Sequence, residues 1–428
     1  MVAAADHALV SPGGGSDHTG PVLSPVSIHL HPVLVAHPSG MKRLFSNLLL
    51  SFVSLLAGFF ILEGLMRVME AVTRPAQVAG VVDALGFEKL QPNFDGPAYS
   101  HELDRNVHVK TNAEGFVGHD YPLEKSPDTV RVALLGDSFV DARTVDWEES
   151  FAHQMEITAR QRWPDKNFEF MNFGISGADT LTEMLYYQHY AVKYKPDYVV
   201  LFFYPNDFEG NKNYLTAEKS EWLNIRPQTY GRPSGLKAKI LSSSVLVSYL
   251  DNKVKNNFFL VRLAVKIGLY GENILNAVPQ EGIHPTFFMY REPLSESNLR
   301  AYDLTPELIG TLKNLAHEND SEFILVYLPE ARQVDKALWE QLRADVPKLN
   351  EYQWNLRHPN DFLVRHYPDM LDLTAAFEKH FDEHPNINLY NRGADSQYRD
   401  GHLSEDGHKL TSQAFLDFFE KIIEDDKR

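Results

Sequence analysis

The chain has no cysteine. That absence excludes disulfides, thiolate catalysis and Cys-ligated zinc, and it leaves the cellular compartment open. Basic residues are also in short supply. Lys and Arg number 41 against 58 Asp and Glu, a net charge of −17 over 428 residues. A phosphate-binding face needs a basic surface, so nucleic acid is excluded as a partner. The first 40 residues lack Lys and Arg altogether and are rich in Gly, Pro, Ser, Ala and His. This composition does not bury enough apolar surface to order itself. Residues 1–40 are therefore expected to be a disordered or non-native extension, read ahead of a start at Met41. Their histidines (His7, His18, His29, His31, His37) match no metal-ligand spacing, and neither do His101, His108 and His119.

Charge then disappears for a different reason. Leu44–Leu62 is a run of 19 uncharged, mostly apolar residues. As a helix it would be about 28 Å long, close to the hydrocarbon thickness of a bilayer. A core helix of that length would show a polar face, and a signal peptide would be followed by small residues at a cleavage site. Here Glu63-Gly64-Leu65-Met66-Arg67-Val68-Met69-Glu70 continues the helical pattern. Residues 41–70 are read as an uncleaved anchor with one transmembrane helix. Lys42 and Arg43 favour a cytoplasmic N-terminus, which puts the rest on the periplasmic or extracytoplasmic side. Arg67 and Arg74 reduce that asymmetry.

What remains is ordinary globular sequence, and the whole chain is 43% hydrophobic. Residues 71–128 form a lead-in in which Val107-His108-Val109 alternates like a short strand. From 129 to 428 strands alternate with helices. Strands are expected at 130–135, 168–173, 198–203, 323–328 and 370–373. Helices are expected at 148–162, 180–194 and 404–424. This alternation argues an α/β fold, a three-layer α/β/α sandwich on a five-stranded, mostly parallel, flavodoxin-like sheet. In such sheets the site lies at the carboxyl ends of the strands. Residues 208–300 interrupt the pattern with two apolar-rich helical stretches, Leu236–Leu250 and Phe258–Leu269, and several Lys and Arg beside them. Apolar stripes at helical spacing are usually core, so a helical insertion packed on the sheet is expected; a cap over the site or a membrane-facing surface is the other reading.

The chemistry centres on Gly136-Asp137-Ser138, where an apolar strand hands over to a helix start. A strand holds a serine rigidly, a turn exposes its Oγ, and a helix N-terminus offers free N–H donors. His402, on a loop before the terminal helix, can reach the same edge as a general base. Asp400 can accept from its Nδ1–H and orient it. The backbone N–H groups of Ser138 and Gly177 and the side chain of Asn206 supply three donors for an oxyanion. Gly174 is the alternative donor to Gly177. His408 competes for the role of base, but a histidine inside the terminal helix is expected to face solvent. Asp137 is expected to hold the turn, Asn172 and Thr180 to serve as turn and cap, and Asp207 to cap a helix.

In this order and spacing the motifs resemble the SGNH, or GDSL, hydrolases over roughly residues 105–425. Gly136-Asp137-Ser138 is similar to their first motif, and Asn172 to Gly177 to their second. Asn206-Asp207 resembles the end of the third, and Asp400 with His402 the last. Tyr204-Pro205 stands where that family usually has a motif glycine. The carboxylate lies two residues before His402 rather than three, a spacing also found in relatives linked to exopolysaccharide acetylation. The resemblance implies a serine esterase that acts through a covalent acyl-enzyme on a short-chain ester, a carbohydrate O-acetyl ester among the candidates. It implies no metal or organic cofactor. An O-acyltransferase acting on an envelope glycan would use the same residues. A non-catalytic envelope scaffold is the third reading.

Overall fold

The computed structural model describes residues 38–73, 78–100, 102–225, 243–255, 257–270, 283–391 and 401–425. Nearly all of the 1–40 extension, with its histidines, lies outside the described residues. Helix α1, Pro38–Thr73, carries the uncharged run. Its segment Lys42–Met69 has 28 residues, includes a stretch with a mean hydropathy of 2.2, and is long and apolar enough to cross a membrane.

A hairpin occupies the lead-in. Strand β1, Asp95–Ser100, pairs antiparallel with β2, Arg105–Lys110, with Ser100 opposite Arg105. β3 (Thr129–Gly136) then leads into a short helix α2 (Ser138–Asp141) and into α3 (Phe151–Arg162). β4 (Asn167–Asn172) and α4 (Thr180–Tyr186) come next, followed by β5 (Tyr198–Phe203) and α5 (Asn206–Asn211). The insertion contains α6 (Val245–Lys255) and α7 (Phe258–Lys266). Helix α8 (Glu296–Glu318) precedes β6 (Glu322–Tyr327). β7 is only Leu371–Asp372, and α9 runs Glu405–Asp425.

The main sheet has the order β7-β6-β5-β3-β4, and every neighbouring pair is parallel. It is thus wholly rather than mostly parallel. Successive side chains of a strand point to opposite faces, and the two cores follow that rule. Ala133, Leu135, Val199, Leu201 and Phe203 enter one core with Leu181 of α4 and Leu308 of α8. Val132, Leu134, Val200 and Phe202 enter the other with Met155 of α3 and Phe415 of α9. Both faces of β5 are covered, which is why its sequence reads as an unbroken apolar run. Each fully buried side chain of this kind contributes about 1.5–3 kcal/mol.

One charge sits inside this apolar frame. Arg131 of β3 is fully buried and lies opposite Glu169 of β4. Its Nε donates to Glu169 Oε2 at 2.6 Å, and its Nη1 donates to the carbonyls of Tyr194 (2.6 Å) and Leu123 (3.0 Å). A buried guanidinium with its donors engaged penalises any slip of β3 against β4, because a slip would strand the charge. β3 is the strand that delivers Ser138.

Two expectations change here. The helix expected over 180–194 is α-helical only to Tyr186. A π-turn, Tyr187–Ala191, and a 3-10 turn, Val192–Tyr194, complete it. The insertion is not an ordinary pair of helices packed on the sheet. Leu246, Val261 and Ala264 are buried, yet they join neither sheet core. Both sheet faces are already covered by other helices. Of the stretch expected over 236–250, residues 236–242 lie outside the described residues.

Candidate active site

Ser138 is the first residue of α2, immediately beyond the carboxyl end of β3. The turn is tight. A Cβ on Gly136 would sit 2.2 Å from Val140 Cγ2 and 3.2 Å from the Phe202 carbonyl oxygen, so glycine is required. Asp137 is buried and caps α2, its Oδ1 accepting from Phe139 N–H at 2.9 Å. Its Oδ2 accepts from Asn206 Nδ2, also at 2.9 Å. Burial raises the Asp137 pKa and these two hydrogen bonds pull it back, leaving it above the ordinary value. Asp137 holds the turn, as expected, and it ties the start of α5 to the start of α2.

The His402 ring faces the Ser138 hydroxyl. His402 Nε2 lies 2.6 Å from Ser138 Oγ. The other ring nitrogen, Nδ1, lies 2.5 Å from Glu102 Oε1. Glu102 Oε2 also accepts from the backbone N–H of His402 at 2.9 Å. One carboxylate therefore fixes both the ring and the main chain of this residue. The network selects the tautomer with Nδ1–H donating to Glu102 and Nε2 accepting from the serine hydroxyl. Desolvation of the ring lowers its pKa, but the hydrogen bond and negative charge of Glu102 outweigh it, and the net shift is upward. The His402 backbone is held too. Its carbonyl accepts from Asn391 N–H at 2.7 Å, and Asn391 Nδ2 donates to the Leu403 carbonyl at 3.1 Å.

Glu102 was not anticipated from the sequence. It sits in the turn of the β1–β2 hairpin. Ion pairs hold that hairpin against the domain: Arg105 with Glu405 at the start of α9 (2.8 Å), Arg105 with Asp146 (3.6 Å) and His108 with Glu148 (2.9 Å). Asp400 lies outside the described residues, and the Nδ1 position expected for it is occupied by Glu102. A glutamate in a hairpin turn carries no local signature. Its partner is 300 residues away in the chain.

The residues expected to supply oxyanion donors follow the carboxyl ends of adjacent strands: Ser138 after β3, Gly177 in the loop after β4 and Asn206 after β5. Gly177 has φ +77°, a left-handed conformation, and its N–H has no acceptor among the described residues. Gly174 is different: its N–H donates to Asn172 Oδ1 at 2.8 Å. Asn172 Nδ2 in turn donates to the Val140 carbonyl at 2.7 Å, so this side chain sutures the loop to α2. That engagement favours Gly177 as the free donor. Asn206 opens α5, with its Nδ2 on Asp137. Asp179, not Thr180, caps α4, accepting from Thr182 N–H at 3.0 Å. Thr180 Oγ1 accepts from Asn211 Nδ2 at 3.1 Å.

Two neighbours differ from expectation. Asp207 caps nothing. Its buried carboxylate has no hydrogen-bond partner among the described residues, and burial followed by the nearby Glu183 charge holds its pKa well above the ordinary value. His408 does not face solvent. It is buried beneath Phe151, with ring centroids 5.4 Å apart, and its Nδ1 accepts from Phe151 N–H at 3.2 Å. It is therefore unavailable to the serine.

Beside Glu102 opens a cavity of about 210 Å³, lined among others by Tyr99, Ser100, Arg143 and Thr144. On the other side of the base, Phe139 lies 5.0 Å from the His402 ring and stacks on Tyr204 at 4.0 Å, centroid to centroid.

No curated protein matches the chain. Among solved structures it is similar to an acetyl xylan esterase at 13% identity, with a TM-score of 0.34, over 67% of this chain and 98% of that one. It is also similar to a two-domain esterase active on acetylated mannans, at 11% identity and a TM-score of 0.35, over 69% and 50% of the two chains. Axe2, an acetylxylan esterase from Geobacillus stearothermophilus, matches at 13% identity and a TM-score of 0.27, over 68% and 93%. Family assignment comes from elsewhere. Residues 132–415 match the family model of the GDSL-like lipase/acylhydrolases, a span that runs from the strand before Ser138 to beyond His402. This match covers well over half of the chain and includes both ends of the Ser138–His402 pair, and the chain belongs to that family of ester-bond hydrolases.

Proposed function

We propose that the protein is a membrane-anchored serine esterase that works through a covalent acyl-enzyme, with Ser138 as nucleophile, His402 as general base and Glu102 as the residue that orients it. The observation that carries this reading is the continuous relay from Ser138 Oγ through His402 to Glu102, at 2.6 and 2.5 Å. Ser138 Oγ attacks the ester carbonyl carbon and His402 Nε2 takes its proton. The tetrahedral oxyanion is met by the N–H groups of Ser138 and Gly177 and the Asn206 amide. Collapse breaks the ester C–O bond, and His402 delivers its proton to the leaving alkoxide. Water, deprotonated by the same histidine, then releases the acyl group as its acid. The stacked Phe139–Tyr204 wall beside the base supports a short acyl group. The cavity beside Glu102 is lined by both polar and apolar side chains, and Tyr99, Ser100 and Arg143 among them support a hydroxylated, sugar-like alcohol. Helix α1 serves as the anchor, with Lys42 and Arg43 on the cytoplasmic side and the esterase outside.

The test is the Ser138→Ala protein, full length in detergent, assayed on an aryl acetate. Its kcat/KM is expected to fall by roughly 10³-fold or more with an unchanged thermal melt. Activity equal to that of the unmodified protein sinks the proposal. Acetyl transfer to a glycan acceptor above the water background, in the same assay, would move the reading from hydrolase to transferase.

A further inference from the structure

Helix α7 is apolar on two sides. On α7 the buried side is Val261 and Ala264. Phe259, Leu260 and Leu263, with Ile267 just past its end, share a second, adjoining arc of the helix. These four are exposed, Phe259 at 74% and Ile267 at 64%. Tyr249 and Leu250 of α6 are exposed as well. Scattered surface apolar residues need no explanation, but a contiguous set of large ones does. Arg262 and Lys266 stand on the same helix at the border of the exposed arc, and Lys253 lies over the Tyr249 ring at 5.5 Å. Over 245–269 the chain carries four basic residues and one acidic residue, Asp251, which pairs with Lys255 at 2.8 Å. This basic, apolar segment lies in a protein of net charge −17.

Its attachment point identifies what it faces. Glu63 is the first residue after the uncharged run Leu44–Leu62. Its carboxylate caps α6 from outside, accepting from Ser244 Oγ (2.9 Å), Val245 N–H (3.0 Å) and Leu246 N–H (2.9 Å). Arg67, one turn further along α1, donates to Glu63 at 2.8 Å and also reaches the Ser243 carbonyl. The hairpin is thus bolted to the residue at which the apolar run ends. A helix with large apolar residues on one arc and Lys and Arg at its border suits the interface between headgroups and acyl chains.

We propose that the α6–α7 hairpin is a lipid-facing foot, seated in the leaflet into which the anchor emerges, with Phe259, Leu263 and Ile267 in the acyl boundary and Arg262 and Lys266 among anionic headgroups. This rests on the reading of α1 as a membrane anchor. A seated foot fixes the height and tilt of the esterase above the membrane, where a lone helix would leave it free to swing.

The absence of native cysteine makes the test direct. Single cysteines are introduced in the full chain by Leu50→Cys in α1, Leu263→Cys in α7 and Leu123→Cys on the exposed surface of the catalytic unit. Each is spin-labelled and reconstituted in phosphatidylcholine–phosphatidylglycerol vesicles, and retained ester hydrolysis confirms folding. The Leu50 label is expected to be quenched by oxygen far more than by a water-soluble nickel complex. The Leu263 label should be shifted the same way to a smaller extent, and more so with anionic lipid than without. The Leu123 label should show the reverse preference. A Leu263 label that behaves like Leu123 while Leu50 is in lipid overturns the foot and leaves the anchor standing. A Leu50 label that reads as aqueous overturns the anchor and the foot together.

Discussion

His402 and His408 stand six residues apart at the end of the chain and have opposite lives. His402 is partly exposed, both ring nitrogens are engaged, and a carboxylate raises its pKa above the ordinary 6.5. His408 is buried, its Nε2 has no partner among the described residues, and its pKa is pushed down to about 3, first by burial and then by the charge of His402. The residue type is the same, so the difference comes from partners that arrive from elsewhere. Glu102 comes from the hairpin to one ring, and Phe151 from the start of α3 to the other. Their contributions to stability also run in opposite directions with pH. His402 binds its proton more tightly folded than unfolded, so its contribution is complete below the unfolded pKa and is lost as pH rises through the folded one. His408 stays neutral in the fold while the unfolded chain takes up a proton below about 6.5, so its contribution is present above that pH and lost as pH falls toward about 3.

The comparison breaks most visibly at Glu102. Glu102→Gln removes the charge and offers Nδ1 an amide in place of a carboxylate, so the favoured tautomer is no longer enforced. A loss of about 10²–10⁴-fold in kcat is expected. The acidic limb of the pH–rate profile should move to lower pH, because a base with a lower pKa sheds its proton earlier. Glu102→Asp should recover part of both. A pH profile unchanged in Glu102→Gln would show that the carboxylate does not act through the imidazole. A smaller effect is expected at the second histidine. His408→Leu leaves the Phe151 N–H unpaired in the core, which costs about 1–3 kcal/mol at neutral pH. That deficit should shrink in denaturant titrations as pH falls from neutral to acid, with kcat within a few-fold of the unmodified enzyme throughout. The smallest effect is expected for Arg105→Ala. Its ion pairs to Glu405 and Asp146 are half exposed, and such pairs are worth about 0–1 kcal/mol. Melting temperature should barely move. kcat should drop a few-fold as the hairpin turn that carries Glu102 loosens, which sequential assays of kcat and KM can separate from weakened binding.

Much of this was legible in the chain because it is local. The run Tyr198–Phe203 announces a strand buried on both faces, and β5 has those bounds. The strand-to-helix handover at Gly136-Asp137-Ser138 is written in consecutive residues, as is Asn206 just beyond β5. His402 could be placed at the strand ends because the terminal helix it precedes had to return across the sheet. What was hidden depends on partners distant in sequence. Glu102 has meaning only beside a histidine 300 residues later. His408 looked like a surface residue because no local pattern reveals that α9 packs its ring under Phe151. The exposed arc of α7 reads as core by periodicity alone, and only the structure shows that, among the described residues, both sheet faces are filled by other helices. β7 was legible as well, since the strand expected over 370–373 contains it, although only Leu371 and Asp372 pair in the sheet.

The position of Glu102 has one more consequence. The family match begins at residue 132, whereas the proposed relay begins thirty residues earlier, in the turn of a separate two-stranded sheet. Inheritance of the fold and inheritance of the full relay are therefore separable events. A relative could keep the nucleophile and the base intact, exchange the hairpin, and so acquire a histidine with a different proton affinity. Reactivity would then be tuned through an accessory appendage while the sheet scaffold stays untouched, and an engineer could graft such hairpins as interchangeable parts.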